Sequence, residues 1–243
     1  MEQGQPLYFR SGLRFLWKWI SRLAAAFLLF TLLSVLAFKW INPPTTSFML
    51  QRHLSAWWYG AQEYRMQQEW MPWERISPHL KMAVITAEDQ RFATHWGIDL
   101  SSVQDALQEY ERGESLRGAS TISQQLAKNL YLTPNRSYLR KGLEAWFALW
   151  MELLMGKQRI LEIYLNVVEF GEGIYGVEAA AQHFFGVPAD RLDRYRSALM
   201  ATVLPAPHRY DLAHPSPYMY ERQAWILRYM NLLGNEQYLE QLD

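Results

Sequence analysis

The sequence predicts a mainly α protein with one membrane-spanning helix near its N-terminus. Three observations carry that prediction. An apolar run of bilayer length lies between residues 19 and 41. From Ser77 onward, helix-start and helix-stop residues bracket one segment after another. No segment shows the apolar–polar alternation of a half-buried strand. The 243 residues are half hydrophobic, with 11 Trp, 14 Tyr and 11 Phe, which is enough for a packed core. Net charge is zero, so the protein as a whole is not a polyanion binder. Cysteine is absent, which excludes disulfides, thiolate metal sites and cysteine nucleophiles.

The anchor comes first. Leu23 to Phe38 is apolar apart from Thr31 and Ser34. With Trp17, Trp19, Ile20, Trp40 and Ile41 at its flanks, the run reaches roughly 20 residues, the length that spans a bilayer as a helix. Arg10, Arg14, Lys18 and Arg22 precede or open it, and only Lys39 follows nearby. The positive-inside bias makes residues 1–18 a cytoplasmic tail and 19–41 the transmembrane helix, with the rest outside. A cleaved leader would need a small-x-small site, which Phe38-Lys39-Trp40-Ile41-Asn42 lacks. A soluble core helix would show polar periodicity, which is also missing. Asn42-Pro43-Pro44 stops the helix. Residues 42–70 form a membrane-proximal segment, and 71–243 form the globular domain. Trp57-Trp58-Tyr59 and Trp70-Met71-Pro72-Trp73 fit membrane-surface contact or local packing equally.

The helices of the domain follow in order. Ser77-Pro78 is an N-cap with proline at the first helical position, and the pattern runs to about His95 with Gly97 beyond it. A second helix starts near Ser120-Thr121 and stops before Pro134. A third spans about Ser137 to Met155, ended by Gly156, and a fourth about Gln158 to Val168. Gly171 to Gly176 reads as a loop, and Val177 to Phe185 as a helix ended by Gly186. Two more helices cover roughly Ala189–Val203 and Pro217–Leu233.

Three clusters bear chemistry. Ala83-Val84-Ile85-Thr86-Ala87-Glu88-Asp89 puts a carboxylate pair after an apolar run. Burial there would raise the pKa of Glu88 and suit it to proton transfer near neutral pH. Helical spacing puts Glu88, Phe92 and His95 on one face. By position alone, Glu88 fits better an acidic residue at the solvated end of a helix. Gly118 to Asn129 is a small-residue turn entering a helix, whose free N–H groups favour anions. Thr121, Gln125 and Lys128 would share a face there, and an ordinary capped, solvated helix fits the same residues. No acidic residue falls between Glu114 and Glu144, whereas Arg117, Lys128, Arg136, Arg140 and Lys141 do. Arg136, Arg140, Lys141 and Glu144 have helical spacing, either as a solvated face or as a phosphate-holding group. The basic patch is too small for nucleic acid to be a partner.

These clusters carry a resemblance. Glu88-Asp89-Gln90-Arg91-Phe92-Ala93-Thr94-His95-Trp96-Gly97 resembles the E-D-x-x-F-x-x-H-x-G signature of the family 51 peptidoglycan glycosyltransferases. Gly118 to Asn129 resembles their G-x-S-T-I-[ST]-Q-Q-L-x-K-N motif, and Arg140-Lys141-Gly142-Leu143-Glu144 their R-K-x-x-E motif. Ile160 to Asn166, then Gly171, Gly176, Ala179-Ala180 and Phe185-Gly186, resemble their fourth block. The four blocks occur in order over about residues 70–215, which makes the match specific. Ser123 stands where threonine is commoner, and Pro205-Ala206-Pro207-His208 is a shortened echo of a fifth motif. No room follows for a transpeptidase domain, so the likeness is to the monofunctional members.

The resemblance implies a lysozyme-like glycosyltransferase domain over 71–243. It implies a single-pass protein of the bacterial inner membrane, with its catalytic domain on the periplasmic side. The expected substrates are lipid II and the lipid-linked glycan chain, joined by inverting transfer with release of undecaprenyl pyrophosphate. Glu88 would be the general base and Glu144 the second catalytic carboxylate. Ser120, Gln125, Lys128, Arg136, Arg140 and Lys141 would bind substrate. No tightly bound cofactor is expected, and no protein metal site. A divalent cation (Mg or Mn) on the pyrophosphate is compatible with the motif. Cell-division or cell-wall synthesis proteins are candidate partners. Two rivals use the same features: a membrane-bound muramidase or lytic transglycosylase with Glu88 as acid, and a non-catalytic peptidoglycan binder.

Overall fold

The computed structural model describes residues 7–60, 65–113, 118, 120–135 and 137–242. The mainly α expectation holds. Helix α1 (Leu7–Trp40) is followed by α2 (Ser47–Trp58), α3 (Pro78–Glu88) and α4 (Leu100–Glu111). Next come α5 (Ile122–Tyr131), α6 (Tyr138–Leu154), α7 (Lys157–Val167) and α8 (Val177–Phe185). The last two are α9 (Arg194–Ala201) and α10 (Pro217–Leu232).

Within α1, Arg14–Trp40 is long and apolar enough to cross a membrane. The helix begins at Leu7, so helical structure reaches back into the stretch read as a tail. Its later half is not a free tether. Phe27 packs on Trp146 and Phe147 of α6, and Thr31 Oγ1 accepts a hydrogen bond from Trp146 Nε1 at 3.2 Å. Thr31 and Val35 are fully buried. Phe30 and Phe38 meet Tyr131 at the end of α5, which itself stacks on Phe147 at 4.2 Å. The two aromatic runs then divide. Trp57, Trp58 and Tyr59 stand exposed on and just past α2, whereas Met71 is buried and Trp70 and Trp73 pack against the core.

Helix α3 is the axis of the domain. Leu80 to Thr86 is buried without a break, with α9, α10 and the C-terminal 3₁₀ segment (Asn235–Leu242) around it. The expected helix Ala189–Val203 is split in two. Ala189–Arg191 is a 3₁₀ turn, and α9 restarts after Asp193, whose carboxylate caps it by accepting from Arg196 N. The restart frees the Leu192 carbonyl to accept from Ser77 Oγ, tying the start of α3 to this turn. Helix α4 was not expected. Its signal was present: Asp99 caps it, and Leu100, Val103, Leu107 and Tyr110 follow at helical spacing.

A small sheet also goes beyond the expectation. Its strands are β1 (Gln67–Gln68), β2 (Glu169–Gly171) and β3 (Ile174–Tyr175), in the order β1-β3-β2. The stretch read as a loop is the β2–β3 hairpin, too short to show alternation. Gly176 closes it at φ +80°, where a Cβ would lie 2.6 Å from the Asn166 carbonyl oxygen. Buried Asn166 of α7 clamps the segment before α3 through two bonds, accepting from Met71 N and donating to Met71 O, and its amide also donates to Glu162 O within α7.

Candidate active site

Glu88 is the last residue of α3. The expectation that this helix continues to His95 fails, and so does the shared face of Glu88, Phe92 and His95. The chain breaks at Asp89 because that carboxylate has distant partners. It accepts from Ile122 N at 2.9 Å, in the first turn of α5, and from His95 Nε2 at 2.9 Å. His95 therefore faces Asp89, and Phe92 goes fully into the core. Lys157 Nζ donates to the His95 carbonyl oxygen at 2.6 Å and sits 4.6 Å from the Phe92 ring centroid. The turn ends at Gly97, φ +81°, whose missing side chain lets it lie against Ala148.

The start of α5 does attract an anion, but the anion is Asp89. Thr121 and Gln124 form a capping box, and the Thr121 hydroxyl donates to the Gly97 carbonyl oxygen at 2.6 Å. Thr121 is therefore buried structure rather than part of an open face. Further along α5, Gln125 Nε2 donates to Glu88 Oε2 at 2.7 Å, and Gln125 Oε1 accepts from Tyr164 OH at 2.8 Å. Lys128, also on α5, is half-buried with its Nζ 5.5 Å from the Phe48 ring centroid.

Burial raises the pKa of Glu88, opposed by the Gln125 hydrogen bond and by the charges of Arg222 and Lys128. Arg222 comes from α10 and donates to the Ala87 carbonyl oxygen at 3.1 Å. Burial lowers the pKa of Lys128, opposed chiefly by the Glu144 charge. Tyr164 is pushed well above its ordinary value by burial and by Glu88 and Asp89, so it stays a donor.

The α6 cluster assembles around Glu144. This buried carboxylate accepts from Arg140 Nη1 and from Lys141 Nζ, the latter at 2.9 Å. Lys141 also reaches Ser120 Oγ at 2.7 Å and Gln124 Oε1 at 3.2 Å. Among the described residues, Arg140 Nε is buried without a hydrogen-bond partner. Ser120, Gln125, Lys128, Arg140, Lys141 and Glu144 line one cavity of about 930 Å³. Arg136 lies outside the described residues. A second cavity, about 400 Å³, lies beside Glu88 and is also walled by Asp89, Arg222, Trp225 and Tyr229. Ser120 lines both cavities, and Gln125, which bonds Glu88, lines the cation-lined one, so the two adjoin. A half-buried base candidate beside a preorganised cation group can remove a proton on one side and stabilise a departing anion on the other.

Sequence reasoning missed Tyr164 and Arg222. Tyr164 lies inside a quoted motif but gives no spacing signal, and Arg222 approaches from a separate helix.

Comparison with known proteins identifies the family. The transglycosylase family model matches residues 56–231. A biosynthetic peptidoglycan transglycosylase of Pseudomonas putida (strain KT2440) is 49% identical over 227 residues, covering 92% of this chain and 96% of that protein. One of Ectopseudomonas mendocina is 49% identical over 230 residues, 95% of each. One of Pseudomonas fluorescens is 48% identical over 231 residues, 95% of this chain and 96% of that protein.

Proposed function

The chain belongs to the transglycosylase family and is a peptidoglycan glycosyltransferase of cell-wall synthesis; from that premise we propose that it polymerises lipid II. The observation that carries the reading is that Glu88 lines a cavity adjoining the cation-lined one, and that Gln125 of the second bonds its carboxylate. The acceptor lipid II lies beside Glu88, which takes the proton from its GlcNAc 4-hydroxyl. That oxygen attacks the anomeric carbon of the donor MurNAc and inverts α to β. The bond to the phosphate oxygen breaks, and undecaprenyl pyrophosphate leaves with the electron pair. The chemistry is that of inverting glycoside cleavage, with a sugar hydroxyl in place of water.

Lys128, Arg140 and Lys141 hold the pyrophosphate, and the unpartnered Arg140 Nε–H is a donor ready for it. Ser120 and Glu144 orient Lys141, and Glu144 also fixes Arg140. Gln125 orients the base. Both Glu144 oxygens are engaged by cations, so this carboxylate does not fit a protein-held metal. A divalent cation would ride on the pyrophosphate's own oxygens. Helix α1 is a single-pass anchor with the domain on the periplasmic side, which keeps the cleft near lipid-borne substrates.

The test is the purified full chain with labelled lipid II, with and without Glu88→Gln. Wild type makes glycan and leaves finished strands uncut. The variant makes none while still binding donor. Near-normal synthesis by Glu88→Gln would reject the assignment of the base.

A further inference from the structure

Hydrogen bonds fasten the anchor helix to the domain at separate levels. The lower level is the Trp146 contact, where Thr31 Oγ1 accepts from the indole. The upper level is at Phe38, about 10 Å further along the helix axis at the ordinary rise per residue. There Arg159, from the first turn of α7, is half-buried and directs three donors to three acceptors. Nε donates to the Phe38 carbonyl oxygen at 2.9 Å, Nη2 to Asn42 Oδ1 at 2.9 Å and Nη1 to Glu162 Oε2 at 2.7 Å. The guanidinium also lies 5.4 Å from the Trp70 ring centroid.

Phe38 lies in the last turn of α1, where carbonyls lack partners within the helix and a cation is favoured. Arg159 therefore caps the outer end of the anchor. It also connects that end to the helix of the base. Glu162, which holds Arg159 through Oε2, accepts from Trp73 N through Oε1 at 3.2 Å. The Trp73 ring centroid lies 3.8 Å from Lys81 Nζ. Lys81 is a buried residue of α3, two turns before Glu88. The path from the anchor to α3 thus runs through Arg159, Glu162, Trp73 and Lys81. Phe30 and Phe38 also pack on Tyr131, but apolar contact has no direction.

We propose that Arg159 is a positioning residue that fixes the height and tilt of the cleft over the bilayer. A single directed fastening lets the domain swing about the anchor, whereas a second one along the helix axis stops it. A substrate confined to the bilayer by its lipid reaches Glu88 only when the cleft is held at the right height. The proposal rests on the reading of α1 as the anchor and of the chain as a lipid II polymerase. Without Arg159 the domain divides among several orientations, and the rate on membrane-borne substrate falls with the competent fraction. A substrate that arrives from solution is indifferent to that orientation.

The experiment uses the full chain in phosphatidylethanolamine–phosphatidylglycerol vesicles and has two readouts. The first compares lipid II in the vesicles with a short-chain, water-soluble analogue in detergent. Arg159→Ala lowers the rate on vesicle-borne lipid II about tenfold, the scale of a hydrogen bond to a charged group, and the rate on the soluble analogue less than about twofold. Asn42→Ala, which removes an exposed partner outside the core, shows the same selectivity at about threefold. Arg159→Lys recovers only part of the rate, since an ammonium does not reproduce the planar fork. The second readout is independent of activity. The chain has no cysteine, so Arg228→Cys on the exposed side of α10 carries a single dye. Energy transfer to acceptors on the lipid headgroups gives one narrow distance distribution in the parent chain and a broadened one with Arg159→Ala. Equal losses on both substrates, or no loss on either, overturn the positioning role. An unchanged distance distribution in both Arg159→Ala and Asn42→Ala overturns the joint itself. Failure of the wild-type chain to polymerise lipid II overturns the reading beneath it, while the dye distances still decide the joint.

Discussion

The side-chain amide of Gln125 donates to Glu88 Oε2 at 2.7 Å, and Tyr164 decides which end of that amide faces the carboxylate. Tyr164 is fully buried and keeps its proton, so its hydroxyl must meet the amide oxygen, which leaves the NH₂ for Glu88. Tyr164→Phe removes that constraint. Glu88 then loses a bond that favours its ionised form, and its pKa climbs further. We expect kcat to fall about fivefold to tenfold, the scale of one net hydrogen bond. The acid limb of the pH–rate profile moves to higher pH, and KM for lipid II changes little. An unmoved acid limb would reject the relay.

Glu88 also places function in tension with stability. Burial raises its pKa in the folded state, so the folded chain holds that proton more tightly than the unfolded chain does. The destabilisation is absent below the unfolded carboxylate's pKa. It grows as pH rises through that value and is complete above the raised folded pKa. Glu88→Gln removes it and, on the proposed reading, would also abolish polymerisation. Thermal unfolding in detergent should show Tm higher by about 2–4 °C at pH 8 and unchanged in acid. Equal Tm values at both pH values would contradict the burial argument.

How much of this was legible depended on the reach of each interaction. The cation cluster was legible because Arg140 and Lys141 meet Glu144 within one turn of α6. Helix ends set by local caps, such as Ser137 and Gly186, were legible for the same reason. The end of α3 was not, because the bond that makes Asp89 leave the helix reaches 33 residues ahead to Ile122. Glu88 was visible only as a candidate, since its orientation comes from Tyr164 through Gln125 and its nearby charge from Arg222, 135 residues from Ala87. The contact of Arg52 on α2 with His208 was not legible, because the two are 156 residues apart.

The cation group should separate binding from chemistry. Lys128 is half-buried, its pKa lowered by burial, and no ion pair holds it among the described residues. On the proposed reading, an arriving pyrophosphate would supply a counter-charge. Lys128→Ala should weaken donor binding about tenfold, as one charge-assisted hydrogen bond is lost. Glu144→Gln acts differently, because Arg140 and Lys141 remain but lose their common anchor. It should lower kcat more than donor affinity. Titration of each variant with a non-hydrolysable lipid pyrophosphate, beside steady-state rates, separates the two. Unchanged affinity in Lys128→Ala would remove it from the phosphate site.

Asp89→Asn tests whether the base depends on a hidden joint. His95 Nδ1 accepts from Gly97 N at 3.0 Å, so the ring's proton sits on Nε2 and points at Asp89. Asp89 thus receives two donors, Nε2–H and the Ile122 N–H. An asparagine offers one oxygen, and its NH₂ must face one of those donors. One buried donor is left unmatched, which costs about 1–3 kcal/mol. At about 2–4 °C per kcal/mol for a chain of this size, Tm falls by several degrees. Ile122 N and His95 Nε2 share Oδ2, and His95 Nε2 also lies 3.0 Å from Oδ1. A carboxamide that turns to keep its NH₂ off His95 therefore pulls away from Ile122, which opens the helix carrying Gln125, the amide bonded to Glu88. Activity measured well below Tm should therefore drop several-fold, with the acid limb moved to higher pH as in Tyr164→Phe. A lower Tm with a wild-type pH profile would make Asp89 a fold residue alone.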